Sequence, residues 1–434
     1  MTTGSGLGDA YGATIERIKA QGGDKSRLGM EALMWISHAE RPLMADELCH
    51  ALAIELDSAD FNDGNIPSTS TLVSCCQGLV TVGKEVSTVR LIHFTLKEYL
   101  SASPDIFVRP HSTMARTCLT YLNSKQVKAL SAIPSSSALN TPFLEYCSLY
   151  WGAHAKREFS DSAISLALEF FREYDDHIST GLLLGQVRYL NHWDLDTSSP
   201  FNGLHSASFF GIVGVAAALI ELGRYDINGG DFWGHTALAW AACNGHGEMV
   251  EMLLGRQEVD PDKPDRYGKT PLSFAAWNGH VAVVQMLLGR ENIDPDKPDM
   301  YGRTPLSYAA QDGHEEVAKI LLAREEVGSD KLSNYGRTPL SYAAQDGHDG
   351  VAKILLEREG VNPDQPDGSG KTPLSFAAQN GHEVVVEILL GRETVKPGRP
   401  DNDGQTPLML AARYRHRRVV ELLHPPGTVT RRAI

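Results

Sequence analysis

From about residue 200 onward the chain alternates, with a fixed period, between short apolar stretches and polar breaks. TPLSFAA begins at Thr270, TPLSYAA at Thr304 and Thr338, TPLSFAA at Thr372 and TPLMLAA at Thr406, while HTALAWAA places Thr236 in the same register; each step is 34 residues. One further step back from Leu238 reaches Leu204 in GLHSASFFG, a copy that keeps the apolar and small positions and loses Thr-Pro. Seven units result, centred on Leu204, Leu238, Leu272, Leu306, Leu340, Leu374 and Leu408. Within a unit, Thr supplies a helix cap and Pro fits the first helical turn without losing a bond. The Ala-Ala pair lets the short first helix pack closely on neighbours. A Gly-His turn (Gly245-His246, Gly279-His280, Gly313-His314, Gly347-His348, Gly381-His382) ends it. Segments such as VVQMLLGR then carry apolar residues at helical spacing and predict a second, amphipathic helix. A Pro/Asp/Gly stretch such as Val259 to Gly268 forbids helix and predicts a projecting β-turn.

Two helices and a turn every ~33 residues, opened by T-P-L-H-x-A, form the ankyrin signature. Residues Pro200 to Leu423 resemble that family. The resemblance implies a mainly α solenoid whose units stack and whose fingertip and inner-helix positions line a concave binding face. The His of TPLH survives only as His205 and becomes Ala239, Ser273, Ser307, Ser341, Ser375 and Met409, so the family's usual hydrogen bond from it is replaced or absent. In the last unit Arg415 stands where the turn glycine belongs, and the polar run RYRHRR suits a capping repeat.

Upstream, the pattern predicts helices over Arg27 to Ala39, Met44 to Ile54 and Ser68 to Cys76, then strands around Leu79 to Val82 and Thr88 to His93. Three helices and a hairpin make a winged helix. EALMWISHAERPLMADELCHALAIE, CCQGLV and VRLIHFTLKEYL resemble the winged-helix module that follows the NTPase domain in fungal NACHT-type, NLR-like proteins, and TPFLEYCSLYWGAHA (Thr141 to Ala155) resembles their helical connector. Only 26 residues precede the module and they hold no P-loop, so the expected chain lacks that NTPase engine. The expected organisation is an N-terminal helix or tail (1–26), winged helix (27–125), connector (126–199), ankyrin array (200–424) and C-terminal tail (425–434).

Composition narrows the function. Forty Lys and Arg against 54 Asp and Glu give a net charge of −14, a field that repels nucleic-acid phosphate and anionic membrane. The longest near-apolar run, Phe209 to Ile220, is well short of a membrane span, and no signal peptide opens the sequence. Six cysteines without CxxC or metal-type spacing read as reduced, buried thiols of a soluble cytoplasmic protein, the nucleus being the second compartment considered. Gly268-Lys269-Thr270 and Gly370-Lys371-Thr372 end like a phosphate loop, but Lys263 and Gln365 occupy the required first glycine. His93 near Thr95 and Glu98 lacks a nucleophile and reads as structural. The Gly-His histidines lie 34 residues apart and read as turn stabilisers rather than metal ligands. The DPDKPD aspartates lack the order of a calcium loop and read as solvated turn tips. No catalytic, cofactor or metal site is expected.

Non-repeating residues at repeat positions point to a partner, because packing sets the consensus and leaves the rest free. The early units fill the free positions with aromatic and basic side chains, the types hot spots favour. The candidate partner-binding residues are Phe232, Trp233, Tyr267, Trp277, Tyr301, Arg303 and Tyr335. YGRTPLSYAAQDGH recurs unchanged from Tyr301 and from Tyr335, so duplication accounts for those two tyrosines as well as binding does; Phe232, Trp233 and Trp277 are unique to their units. The expected function is a non-enzymatic protein-interaction scaffold derived from an NLR-like sensor. The alternatives are a DNA-associated or transcriptional regulator working through the winged helix, or an accessory protein of a fungal metabolic gene cluster. Against DNA binding, Ile66 to Cys76 holds no Lys or Arg, and Arg27, Arg41, Lys84, Arg90 and Lys97 are balanced by nearby acids.

Overall fold

A computed structural model describes residues 4–56, 58, 61–83, 85, 87–130, 141–158, 160–172, 174, 177–187 and 201–424. Lys84, two stretches of the expected connector (131–140 and 188–199) and the expected tail 425–434 lie outside the described residues. The chain divides into two units, Met1–Arg224 and Tyr225–Ile434. No helix among the described residues is long and apolar enough to cross a membrane.

In the first unit, α1 (Gly4–Lys19) packs on α2 (Gly23–His38), which also contacts α3 (Ala45–Ala53) and α4 (Thr69–Cys75). Strands β1 (Val80–Val82) and β2 (Val89–Leu91) pair antiparallel with Val80 opposite Leu91, and Met44 bridges to Thr88. This is the expected three-helix-and-hairpin winged helix, its core built from Leu33, Trp35, Leu48, Leu52, Leu72, Val80, Val89 and Leu96. His93 is spent structurally: it caps α5 (Phe94–Ser101), its Nδ1 accepting from the Thr95 amide at 3.3 Å. Arg27 pairs with Glu31, and Arg41 forks onto Glu47 at 2.6 and 2.8 Å, which spends two of the module's cations on its own acids.

Next come α6 (Pro110–Asn123), α7 (Lys125–Lys128), α8 (Leu144–Arg157), α9 (Asp161–Arg172) and α10 (Ile178–Val187). The degenerate first repeat, α11 (Gly203–Phe210) and α12 (Val213–Glu221), belongs to this unit. Its Phe210 lies against Trp151 at 5.5 Å and over Gly152, where any Cβ would collide with the ring. That seat on α8 accounts for Phe210 in this copy, at the position that Asn244, Asn278 and Asp312 occupy in the following units.

Among its described residues the second unit holds six helix pairs: α13–α14 (Ala237–Cys243, Gly247–Leu254), α15–α16 (Pro271–Trp277, Val281–Leu288), α17–α18 (Pro305–Gln311, Glu315–Leu322), α19–α20 (Pro339–Asp346, Asp349–Leu356), α21–α22 (Pro373–Asn380, Glu383–Leu390) and α23–α24 (Pro407–Arg413, Arg417–Leu423). First helices pack on first helices and second on second. Leu272, Leu306, Leu340 and Leu374 and the Ala pairs beside them are fully buried, forming the apolar spine between units. Thr270, Thr304, Thr338 and Thr372 cap the first helices, accepting from the amide three residues on at 3.1–3.3 Å. In these units Ser takes over part of the role of the absent TPLH histidine, its Oγ lying 3.1–3.2 Å from the Thr hydroxyl. In the first repeat His205 Nδ1 accepts from the Asn202 amide at 3.2 Å.

The polar repeat positions tie each unit to the next. His280, His314, His382 and His416 donate from Nε2 to the carbonyls of Cys243, Trp277, Gln345 and Gln379 at 2.8–2.9 Å, so the Gly-His histidines stabilise the preceding unit's turn as well as their own. Of the DPDKPD aspartates, Asp260 and Asp294 are exposed as expected, but the expectation of solvated tips fails for Asp262, Asp296 and the equivalent Asp364, which are largely shielded and bind Lys297, Lys331 and Arg399 of the following unit at 2.9, 2.9 and 3.1 Å. Where Gln365 replaces that cation, Asp330 is left with its carboxyl pushed up by burial. Arg290 likewise donates to the Leu254 carbonyl at 2.7 Å, capping the end of α14.

Candidate partner-binding face

In all but one helix pair of the second unit, where Ser333 stands instead, the β-turn finger is organised by an aspartate. Asp231, Asp265 and Asp299 accept from the amides two and four residues on at 2.7–2.9 Å, which bends the chain and presents the two intervening side chains. Successive fingers are joined edge to edge by Arg266 N–H to Trp233 O (2.8 Å), Met300 to Tyr267 (2.7 Å), Asn334 to Tyr301 (2.8 Å) and Gly368 to Tyr335 (2.8 Å). The fingertips therefore form one row whose spacing the backbone sets.

On this row the predicted residues fall into three clusters. Phe232 and Trp233 meet edge to face at 5.7 Å, with the Arg266 guanidinium 4.9 Å above the Phe232 ring. Tyr267 stands half-buried on the next finger. Trp277, at the end of α15, has the Lys269 ammonium 4.5 Å over its ring and Tyr308 at 5.7 Å. Tyr301 stacks on Tyr335 at 6.5 Å and 18°, and Tyr335 is 61% exposed. Arg303 links the last two clusters: its guanidinium lies 5.1 Å from the Tyr301 ring and 4.7 Å from the Tyr308 ring while pairing with Asp299 at 2.9 Å.

The position before Thr-Pro carries a row of cations behind the fingertips. His235 sits between Asp231 and Asp265, its ring nitrogens 3.4 and 3.3 Å from their carboxylates. Burial opposes its charge, yet the two carboxylates outweigh burial and raise its pKa. Lys269 is nearly fully buried, and that desolvation lowers its pKa despite Asp265. The Lys of a phosphate-loop look-alike is thus a packing residue. Tyr308 completes the row's support, its hydroxyl donating to Asp299 Oδ2 at 2.6 Å.

Sequence reading stopped at the early units and missed the same row in the later ones. Arg337 and Lys371 flank Phe376 in an open hollow of about 460 Å³, with Gln345 and Gln379 accepting from them at 2.8 Å. Both lie in the 34-residue register of Arg303, so continued stepping finds them. Arg337 differs from Arg303 because Ser333 replaces the finger aspartate; its nearest carboxylate is Asp367, at 3.7 Å.

Residues 204–299, 291–367 and 359–432 match three consecutive copies of the ankyrin-repeat family, together more than half of the chain. Residues 16–106 match the winged helix domain of GPI inositol-deacylase. Comparison with curated proteins gives no match.

Proposed function

The chain belongs to the ankyrin-repeat family, and from that premise we propose that it is a non-enzymatic scaffold that captures a protein partner on its fingertips and first-helix ends. The observation that carries this reading is the contiguous aromatic and cationic row from Phe232 to Tyr335. The repeat packs without these side chains, as Gly368 and Ser369 at the equivalent fingertip demonstrate. Aromatic and Arg side chains held by their neighbours lose little rotamer freedom on docking, which is what makes such residues binding hot spots. The concave face of the array presents them, and a partner docks without large rearrangement. The mechanism is binding energy alone, and ATP hydrolysis by the purified chain would overturn it.

The order winged helix, helical connector and ankyrin array supports descent from a fungal NACHT-type, NLR-like sensor, the array serving as its recognition end. The buried thiols of Cys49, Cys75, Cys76, Cys118 and Cys147 support work in a reducing compartment, the cytoplasm or the nucleus.

The test is Trp233→Ala combined with Tyr335→Ala in the full chain. Tyr335 is exposed and Trp233 half-buried, so both can be removed with little loss of packing, whereas Trp277 also wedges against Tyr308. The expected outcome is loss of the partner recovered with the unaltered chain, at unchanged helix content by circular dichroism. Equal recovery by the two chains would refute the assigned face.

A further inference from the structure

Away from the repeats, the first unit brings together three side chains remote in sequence. Glu40 follows α2, His111 opens α6 behind Pro110, and His154 lies in the last turn of α8. His111 Nδ1 and His154 Nδ1 face each other at 2.8 Å, and Glu40 Oε1 is 3.8 Å from His154 Nδ1. The three donor atoms lie within 4.8 Å of one another. His154 is fully buried, while His111 and Glu40 are only partly shielded, so the cluster reaches solvent on their side.

Each inner member is also held from behind. Tyr146 OH lies 2.8 Å from His154 Nε2 and accepts from the Glu40 amide at 3.1 Å. Arg157 forks onto the Glu40 carboxylate. Histidine and carboxylate ligands backed by outer hydrogen-bond partners that fix their orientation are the usual construction of a metal site.

The geometry points to a binding site for one divalent transition metal ion, Zn²⁺ first, held by Glu40, His111 and His154. Two nitrogens at 2.0–2.1 Å on a tetrahedral Zn²⁺ stand about 3.3 Å apart, so the 2.8 Å between the rings needs to open by about half an ångström and the 3.8 Å from Glu40 to His154 to close by a similar amount. Two imidazoles and one carboxylate suit Zn²⁺ and exclude a preference for Ca²⁺ or Mg²⁺, which take oxygen donors. Three protein ligands leave the fourth position, on the open side, to water. Burial, with the neighbouring histidines and Arg157 adding to it, holds both His111 and His154 below the usual histidine range. Arg157 opposes the ion and Glu40 offsets that charge; His38 and Glu158 are the other titratable groups facing the cluster. An ion here would join the end of α2 to α6 and α8, clamping the winged helix to the helices that follow it.

The test uses the full chain, free of any affinity tag and stripped of metal, titrated with Zn²⁺ in excess Mg²⁺ by calorimetry. One equivalent is expected to bind and to raise the thermal unfolding midpoint. His111→Ala and Glu40→Gln should each weaken binding by about tenfold or more, with circular dichroism of the metal-free variants checking their fold. Because the chain has 16 histidines, His382→Ala in the repeats serves as the control and should leave the affinity unchanged. Absence of a stoichiometric site, or a site that survives both His111→Ala and Glu40→Gln unweakened, overturns the assignment and leaves His111 and His154 as a pair sharing one proton.

Discussion

The Gly-His turn couples the stability of the array to the proposed binding face, and Gly279 is the place to measure it. Gly279 has φ +73°, and a Cβ added there would stand 2.5 Å from His314 Nδ1. The same His314 donates to the Trp277 carbonyl at 2.9 Å and so holds the residue that carries the second aromatic cluster. Gly279→Ala therefore has two costs. The left-handed backbone costs about 1–2 kcal/mol for a residue with a Cβ, and displacing the ring loses a hydrogen bond of about 0.5–1.5 kcal/mol. The expected total is about 2–3 kcal/mol. His314→Ala alone loses that hydrogen bond and the ring's packing, about 1–2 kcal/mol. In the double variant the new methyl meets no ring, so the backbone cost adds to the loss from His314→Ala but the hydrogen bond is lost once rather than twice, and the two single losses should exceed the double by about 1 kcal/mol. Urea unfolding followed by circular dichroism measures all three. Additivity within about 0.3–0.5 kcal/mol would refute the reasoning, because it would mean that ring and glycine do not meet. Arg415 is a natural control: it occupies the glycine position of the last repeat at φ +65°, and no later Gly-His turn packs on it among the described residues.

Two further perturbations probe the finger row. Ser333→Asp restores the aspartate that in the preceding unit accepts from both Tyr301 and Arg303 amides at 2.8 Å, where Ser333 accepts only from Arg337 at 3.2 Å; it should stabilise the array by about 0.5–1.5 kcal/mol in thermal unfolding, and a loss of stability would contradict the organising role given to the aspartate. His235, whose folded-state pKa is raised, contributes stability that is fully present below its usual value of 6.5 and is lost as pH rises through the raised value. The gap in unfolding midpoint between the unaltered chain and His235→Gln should accordingly narrow as pH increases, and a gap independent of pH would rule out the ion pairs with Asp231 and Asp265.

What the sequence determined by itself is whatever repeats or is local. The 34-residue step, the Thr-Pro caps, the Gly-His turns and the fingertip positions were legible because a solenoid contacts only its neighbours, so each interface recurs in the same register. The winged helix was legible for a related reason, its helices and hairpin carrying their own caps and turns. Tertiary structure alone decided what lies across an interface. The inner aspartate of DPDKPD looks like a solvated tip until a Lys 35 residues later reaches it, and Lys269, which spacing alone excludes from a phosphate loop, finds its packing role only against Trp277. It also decided the place of the first repeat, which Phe210 ties to α8. The cluster of Glu40, His111 and His154 was invisible for the plainest reason: its two histidines are 43 residues apart and belong to different helices. No local period brings such groups together, and only the packing of α6 on α8 places their nitrogens face to face.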